Sequence, residues 1–154
     1  MRDAHEALVG TWQLTAASAI TDSGEIDDSP FGTGPVGLLV YTADGTVAAL
    51  ISNGGRSALS ADRIASPTDE RASAFATFFS YAGRYSVAGD RVIHHVQVAS
   101  FENWVGTDLV RAFVLDGDQL KLLTPPMMVG GKSWITELVW DRAPRINQVA
   151  PNAS

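Results

Sequence analysis

Cysteine is absent from the 154 residues. This removes disulfides, a thiol nucleophile, cysteine-bound zinc and a dithiol redox pair from consideration. Positive charge is scarce, with 11 Lys and Arg against 17 Asp and Glu and a formal net charge of −6. Nucleic acid and anionic membrane surfaces are recognised by clustered Lys and Arg, and the chain contains no such run, so neither is an expected partner. Long apolar runs are missing as well. No window approaches the roughly 18 residues of a membrane-spanning helix, and Met1-Arg2-Asp3-Ala4-His5-Glu6 opens without a secretory apolar stretch. The expectation is a soluble, cytoplasmic protein. No Gly-X-Ser-X-Gly elbow and no phosphate loop occur, and Ser52-Asn53-Gly54-Gly55 reads as a plain turn.

What the chain does have is apolar and aromatic residues, 45% hydrophobic against 18% charged, the reverse of a composition that stays disordered. Its length suits one domain with a real core. We expect a single domain over 1–142 and a tail over 143–154, where Pro144, Pro151 and two Asn describe a segment mobile in isolation.

The dominant hydrophobic period is two, that of strands with one buried face. Trp12, Leu14 and Ala16 alternate with Thr11, Gln13 and Thr15. Apolar runs at Gly37–Tyr41 and Thr46–Ile51 flank Ala43-Asp44-Gly45, and similar turns recur at Ala88-Gly89-Asp90 and Asp116-Gly117-Asp118, a hairpin signature used three times. Further strands are expected at Phe79–Val87, Arg91–Phe101, Thr107–Leu115, Gln119–Thr124 and Ser133–Asp141. Residues 22–36, dense in Asp, Gly and Pro, read as a long loop or flap, with room for a short hairpin. One segment breaks the rhythm. Ser66 as an N-cap hydroxyl, Pro67 at the first helical position, and Asp69 and Glu70 in the first turn predict a helix over 67–78, with a second turn of helix at Asp3–Leu8. About eight strands joined by tight turns are best satisfied by an antiparallel up-and-down barrel, because closure removes exposed edges. A Greek-key sandwich is the alternative. A barrel of eight strands is wide enough for one small ligand.

Several segments, taken in order, resemble the lipocalin-like domain family of the calycin group, small bacterial and fungal proteins. They are Leu8-Val9-Gly10-Thr11-Trp12, Gly37-Leu38-Leu39-Val40-Tyr41-Thr42-Ala43-Asp44-Gly45, His94-His95-Val96 followed by Asn103-Trp104-Val105-Gly106-Thr107, and finally Leu123-Thr124-Pro125-Pro126 with Leu138-Val139-Trp140-Asp141-Arg142. The resemblance covers about residues 6 to 142. It implies a lipocalin-like barrel with a cavity, and a structural contact in which Arg142 lies against Trp12 as a cation–π pair at the barrel floor. It implies no reaction, since fold does not determine function.

Candidate site residues follow from strand parity. His94 and His95 point to opposite faces. Val92, Val96 and Val98 share parity with His94, which places His94 in the lumen and His95 outside. His94 is then either a general acid or base, or a core histidine hydrogen-bonded to a Tyr or to backbone. Arg111 is a lumenal partner for a carboxylate or enolate oxygen if Leu109 and Phe113 face inward, and solvated surface if Val110 and Val114 do. Tyr41 and Tyr85 are candidate stabilisers of negative charge. Asn103, Trp104, Tyr81, Phe79 and Trp134 are candidate ligand contacts. Glu137 is expected outside, and Phe75, Phe78 and Phe79 are expected to pack the 67–78 helix on the barrel as a lid. No metal site and no cofactor are expected.

The leading functional expectation is binding of a small, largely apolar organic ligand in the barrel. The alternative is a cofactor-free isomerase, cyclase or dehydratase acting on a natural-product intermediate with His94 as acid or base. A third reading is an interaction protein whose interior is filled by its own side chains. A homodimer through an outer barrel face is also expected.

Overall fold

The alternating segments form strands, and the strands form one closed sheet. A computed structural model describes residues 3–146. Ten strands occur among them: β1 (Gly10–Thr21), β2 (Ile26–Asp27), β3 (Val36–Tyr41), β4 (Thr46–Ser52), β5 (Phe78–Ala88), β6 (Arg91–Ala99), β7 (Asp108–Asp116), β8 (Gln119–Leu123), β9 (Met127–Val129) and β10 (Lys132–Arg142). Two helices, α1 (Ala4–Leu8) and α2 (Thr68–Ala76), and a 3₁₀ turn at Glu102–Trp104 complete the elements. Each of β1, β3, β4, β5, β6, β7, β8 and β10 pairs antiparallel with the next, and β10 returns to β1 with Trp12 opposite Arg142. The eight-stranded antiparallel barrel is therefore closed, and β2 and β9 are short additions at its rim. Among the described residues no helix is long and apolar enough to cross a membrane. The tail beyond residue 146 lies outside the described residues.

The inner face is set by parity. Trp12, Leu39, Tyr41, Val47, Ile51, Tyr81, Tyr85, Val92, His94, Val96, Leu120, Leu122 and Trp140 are all buried. Two bulges reset that parity. In β1 the pairing with β10 slips between Leu14 and Ala16, so the inward residues beyond it are Ala17, Ala19 and Thr21 rather than Ala16. In β6 the pairing with β5 slips at Gln97. Val98, grouped above with His94, is consequently turned out and 62% exposed.

One end of the barrel is sealed by a clamp. The Trp12 indole N–H donates to Leu8 O at 2.9 Å, and the Arg142 guanidinium lies 4.3 Å from the Trp12 ring centroid. The same guanidinium donates to Val9 O and Ala7 O, and its Nε to Asp118. One side chain thus ties together the chain start, the last strand and the β7–β8 turn. Gly10 makes room for it: its φ is +136°, and a Cβ there would sit 2.8 Å from an Arg142 nitrogen. α1 closes over this end with Leu8 fully buried and His5 stacked on Tyr85.

The predicted helix forms, but its anchoring differs from expectation. Pro67, not Ser66, is the N-cap, because the Ser66 hydroxyl is engaged in the preceding turn, donating to Asp62 O and accepting from Ala61 N. α2 buries none of its residues. Phe75 is 57% exposed and does not pack on the barrel, and Phe78 lies under the Arg56 guanidinium. Only Ala76 and the following Phe79 reach the barrel mouth. The helix stands at the rim without a hydrophobic anchor of its own.

Replacing Arg142 by Met should remove three hydrogen bonds and the cation–π contact, lowering the unfolding free energy by about 2 kcal/mol. Urea unfolding followed by far-ultraviolet circular dichroism checks this, and an unchanged midpoint would remove the clamp from the account.

Candidate functional site

The two ends of the barrel are filled differently. Toward the clamp the interior is packed with Trp12, Tyr41, Val47, Tyr85, Val92 and Leu120. Toward the opposite end, inward positions carry small residues, Ala19 and Ala49, and a cavity of about 370 Å³ opens. Its walls are Leu39, Ile51, Leu122, Leu138 and Trp140, with Thr124, Thr136 and Trp134 higher on the closing side. An aromatic row runs up one side: Tyr81 packs edge-on to Trp104 at 5.8 Å, Trp104 edge-on to Phe79 at 5.5 Å, and Phe79 against Phe31 at 5.9 Å. The 22–36 loop forms part of the mouth through Asp27, Pro30 and Phe31. It is held there by the 52–55 turn, where Gly54 N–H donates to Phe31 O and a Cβ on Gly54 would collide with Thr33 O. The plain turn read from the sequence is thus the seat of the flap.

At the cavity floor lies a buried polar cluster. His94 is completely buried, with Tyr41 Oη 2.7 Å from Nε2 and Tyr81 Oη 2.7 Å from Nδ1. Of these three, only Tyr81 lines the cavity. Arg111 lines it as well and is 6% exposed, which settles its face: Leu109, Arg111 and Phe113 point inward. Burial, reinforced by the Arg111 charge and by His95, holds the His94 imidazole down to about 3, so it is neutral at physiological pH. Burial also raises both Tyr41 and Tyr81, keeping the two phenols protonated.

A neutral imidazole has one donor and one acceptor nitrogen. Among the described residues Tyr41 has no hydrogen-bond partner but His94, so a Tyr41 that accepted from Nε2 would leave its own O–H buried and unsatisfied, a cost of about 1–3 kcal/mol. The satisfied arrangement has Tyr41 donating to Nε2 and Nδ1–H donating to Tyr81. The Tyr81 proton is then left to point into the cavity. The relay makes Tyr81 a committed donor toward whatever occupies the space above it.

The remaining sequence candidates divide clearly. Phe79, Tyr81, Trp104 and Trp134 line the cavity. Asn103 does not; it sits exposed in the 3₁₀ turn, and only its neighbour Trp104 is directed inward, the Gly106 φ of +80° turning the chain beyond it. Tyr85 lies below the cavity with its hydroxyl donating to Thr42 O, and it reaches no ligand space. Tyr41 touches the site only through His94. Glu137 is absent from the lining, as parity required. His95 faces out between Ser86 and Asp108, at 2.9 and 2.8 Å. Phe31 and Asp27 were not anticipated, because the 22–36 segment has no periodicity: Phe31 lies in irregular backbone and Asp27 in the two-residue β2. Leu39, Ile51, Leu122 and Leu138 were legible by parity, but nothing in a strand pattern distinguishes a residue facing a void from one facing a neighbour.

A family profile for the lipocalin-like domain matches residues 9–143. The chain belongs to the lipocalin-like domain family. Among curated proteins it is similar to the 4'-hydroxy-3'-methoxypropiophenone carrier protein ppsC of Aspergillus oryzae, 35% identical over 91 residues that cover 53% of this chain and 82% of that protein. Among solved structures, an uncharacterized protein from Bacteroides eggerthii aligns over 88% of this chain and 99% of its own at 15% identity and a TM-score of 0.46. A lipocalin-like protein from Bacteroides uniformis aligns over 88% and 98% at 14% identity and a TM-score of 0.44.

The low value for His94 in this lipocalin-like barrel has a definite sign. The unfolded chain takes up the imidazole proton near 6.5 and the folded one only near 3, so His94 contributes full stability above pH 6.5, lost progressively as pH falls toward 3. Between pH 6.5 and 4.5 this group alone should remove about 2–3 kcal/mol. His94→Gln, which keeps a donor and an acceptor, should flatten that part of the acid profile in urea unfolding at stepped pH; an unaltered slope would contradict the assignment.

Proposed function

We propose that this protein is a cytoplasmic carrier of a small, largely apolar organic molecule held in the upper half of the barrel. The observation that carries the reading is the cavity itself, about 370 Å³, apolar on most of its wall and open at one end. That size is within the range of small-molecule sites, where apolar walls supply affinity and a few polar groups supply orientation. The third expectation, a barrel filled by its own side chains, is disfavoured by the same void. The relative named as a propiophenone carrier supports an aryl ketone of similar size as a first ligand to try. The cytoplasmic placement rests on the cysteine-free, acidic composition. A homodimer would use the outer face of β3 and β4, where Leu38 and Leu50 pair directly and both are exposed.

The enzymatic alternative is the weaker reading. His94 touches no cavity space, both its nitrogens are occupied, and a group held near 3 is a poor base at neutral pH. An isomerase or cyclase in this barrel would have to rely on Tyr81 and Arg111 instead.

Titration with 4'-hydroxy-3'-methoxypropiophenone, followed by fluorescence of Trp104 and Trp134 in the cavity wall, should give saturable binding with a dissociation constant of about 1 μM to 100 μM. Ala49→Phe, which places a ring in the void, should weaken binding at least about tenfold while the far-ultraviolet spectrum is retained. Undiminished affinity in that variant would move the ligand elsewhere.

A further inference from the structure

The carrier reading leaves the chemical character of the ligand open, and Arg111 narrows it. A guanidinium offers five N–H donors and keeps its charge under all ordinary conditions. Arg111 is 6% exposed, yet among the described residues its five donors meet only Val110 O, 3.1 Å from Nη1, and the Tyr81 hydroxyl oxygen beside it. Among the described residues no carboxylate is paired with it. The groups around it are neutral: Tyr41 from β3, Tyr81 from β5 and His94 from β6, each close enough to feel its charge. The one carboxylate in the cavity lining, Asp27, belongs to the mouth, where it accepts from Ser29 N–H at 2.9 Å.

Taking a cation out of water without a counter-charge is among the most expensive substitutions a protein interior can carry. A Met or Leu would fill the same volume without that cost, so Arg111 is explained by something that enters the cavity and completes it. The relay beneath points the same way. With Tyr41 donating to His94 and His94 to Tyr81, the Tyr81 O–H is turned toward the cavity, next to the unsatisfied guanidinium. The cavity floor therefore presents donors and positive charge, and the walls above it are apolar.

We infer that the cavity floor is a receptor for an acidic oxygen: Arg111 and Tyr81 donate together to a carboxylate, phenolate or enolate of an otherwise apolar ligand, which is bound as its anion. This rests on the carrier reading, and it specifies the class of ligand carried. Tyr41 and His94 are positioning residues, acting through the orientation of the Tyr81 proton. Recognition by a fork of guanidinium donors and one hydroxyl selects a planar, charge-delocalised oxygen over a neutral ether or ester of the same shape.

The probe is 4-nitrophenol, whose neutral and anionic forms interconvert near neutral pH and have separate absorption bands. In complex with the wild-type protein its titration midpoint should move at least about one pH unit to the acid side, a tenfold preference for the anion. Arg111→Met should abolish the shift while unfolding at a urea concentration no lower than the parent without ligand, since it removes an unpaired buried charge. Tyr81→Phe should retain part of the shift. A bound probe that titrates at or above the midpoint of free 4-nitrophenol overturns the acidic-oxygen receptor but leaves the carrier reading intact. Failure of 4-nitrophenol and of the neutral 4-nitroanisole to bind at all overturns both. The wild-type titration decides the matter even where Arg111→Met does not fold.

Discussion

The return of β10 onto β1 is the constraint on which the other features depend. Closing eight strands leaves the wall no free sheet edge and one enclosed volume whose filling is decided by inward side chains. Trp12 and Arg142 stand at the point of closure, opposite each other in the register. Their contact binds the first and last strands, the α1 segment and the β7–β8 turn, so the barrel is fastened at its floor and left free to open at its mouth. The gradient of side-chain size along the barrel axis follows: large residues below, Ala19 and Ala49 with a cavity above.

Between the filled and the empty halves lies the Tyr41–His94–Tyr81 relay. Leaving a buried polar group unsatisfied is costly, and here each ring settles the next: the isolation of Tyr41 fixes the imidazole tautomer, and the tautomer fixes the direction of the Tyr81 proton. Burial keeps the His94 imidazole neutral between its two phenol partners. His94, open in the sequence between an acid or base and a core histidine, is held by a phenol at each ring nitrogen, and it meets the cavity through the Tyr81 hydroxyl alone.

The barrel was legible in the sequence because alternation and Asp-Gly turns act locally: Ala43-Asp44-Gly45 and Asp116-Gly117-Asp118 join strands where expected, and parity placed His94 inside and Glu137 outside. Legibility failed where a single extra residue changes phase. The bulge at Gln97 exposes Val98, and no composition signal marks it. It failed again outside the alternating strands, where Phe31 and Asp27 reach the mouth from a segment that has no period, and where Phe75 mimics an anchor but stays in solvent. Arg111 was undecided between the two faces of β7 since both faces are equally apolar in sequence. Only the position of its neighbours across β6 and β8 resolves it.

The central claim is that ligand binding is confined to the upper half of a closed barrel whose lower half is solid. Methyl-resolved nuclear magnetic resonance during titration with a saturating aryl ketone tests this most directly. The account predicts large shifts and ligand contacts for the methyls of Leu39, Ile51, Leu122 and Leu138, which line the cavity, and undisturbed signals for Val47, Val92 and Leu120, buried beneath it. Perturbations spread over the lower core, or confined to outward residues such as Leu38, Leu50 and Val114, would contradict it.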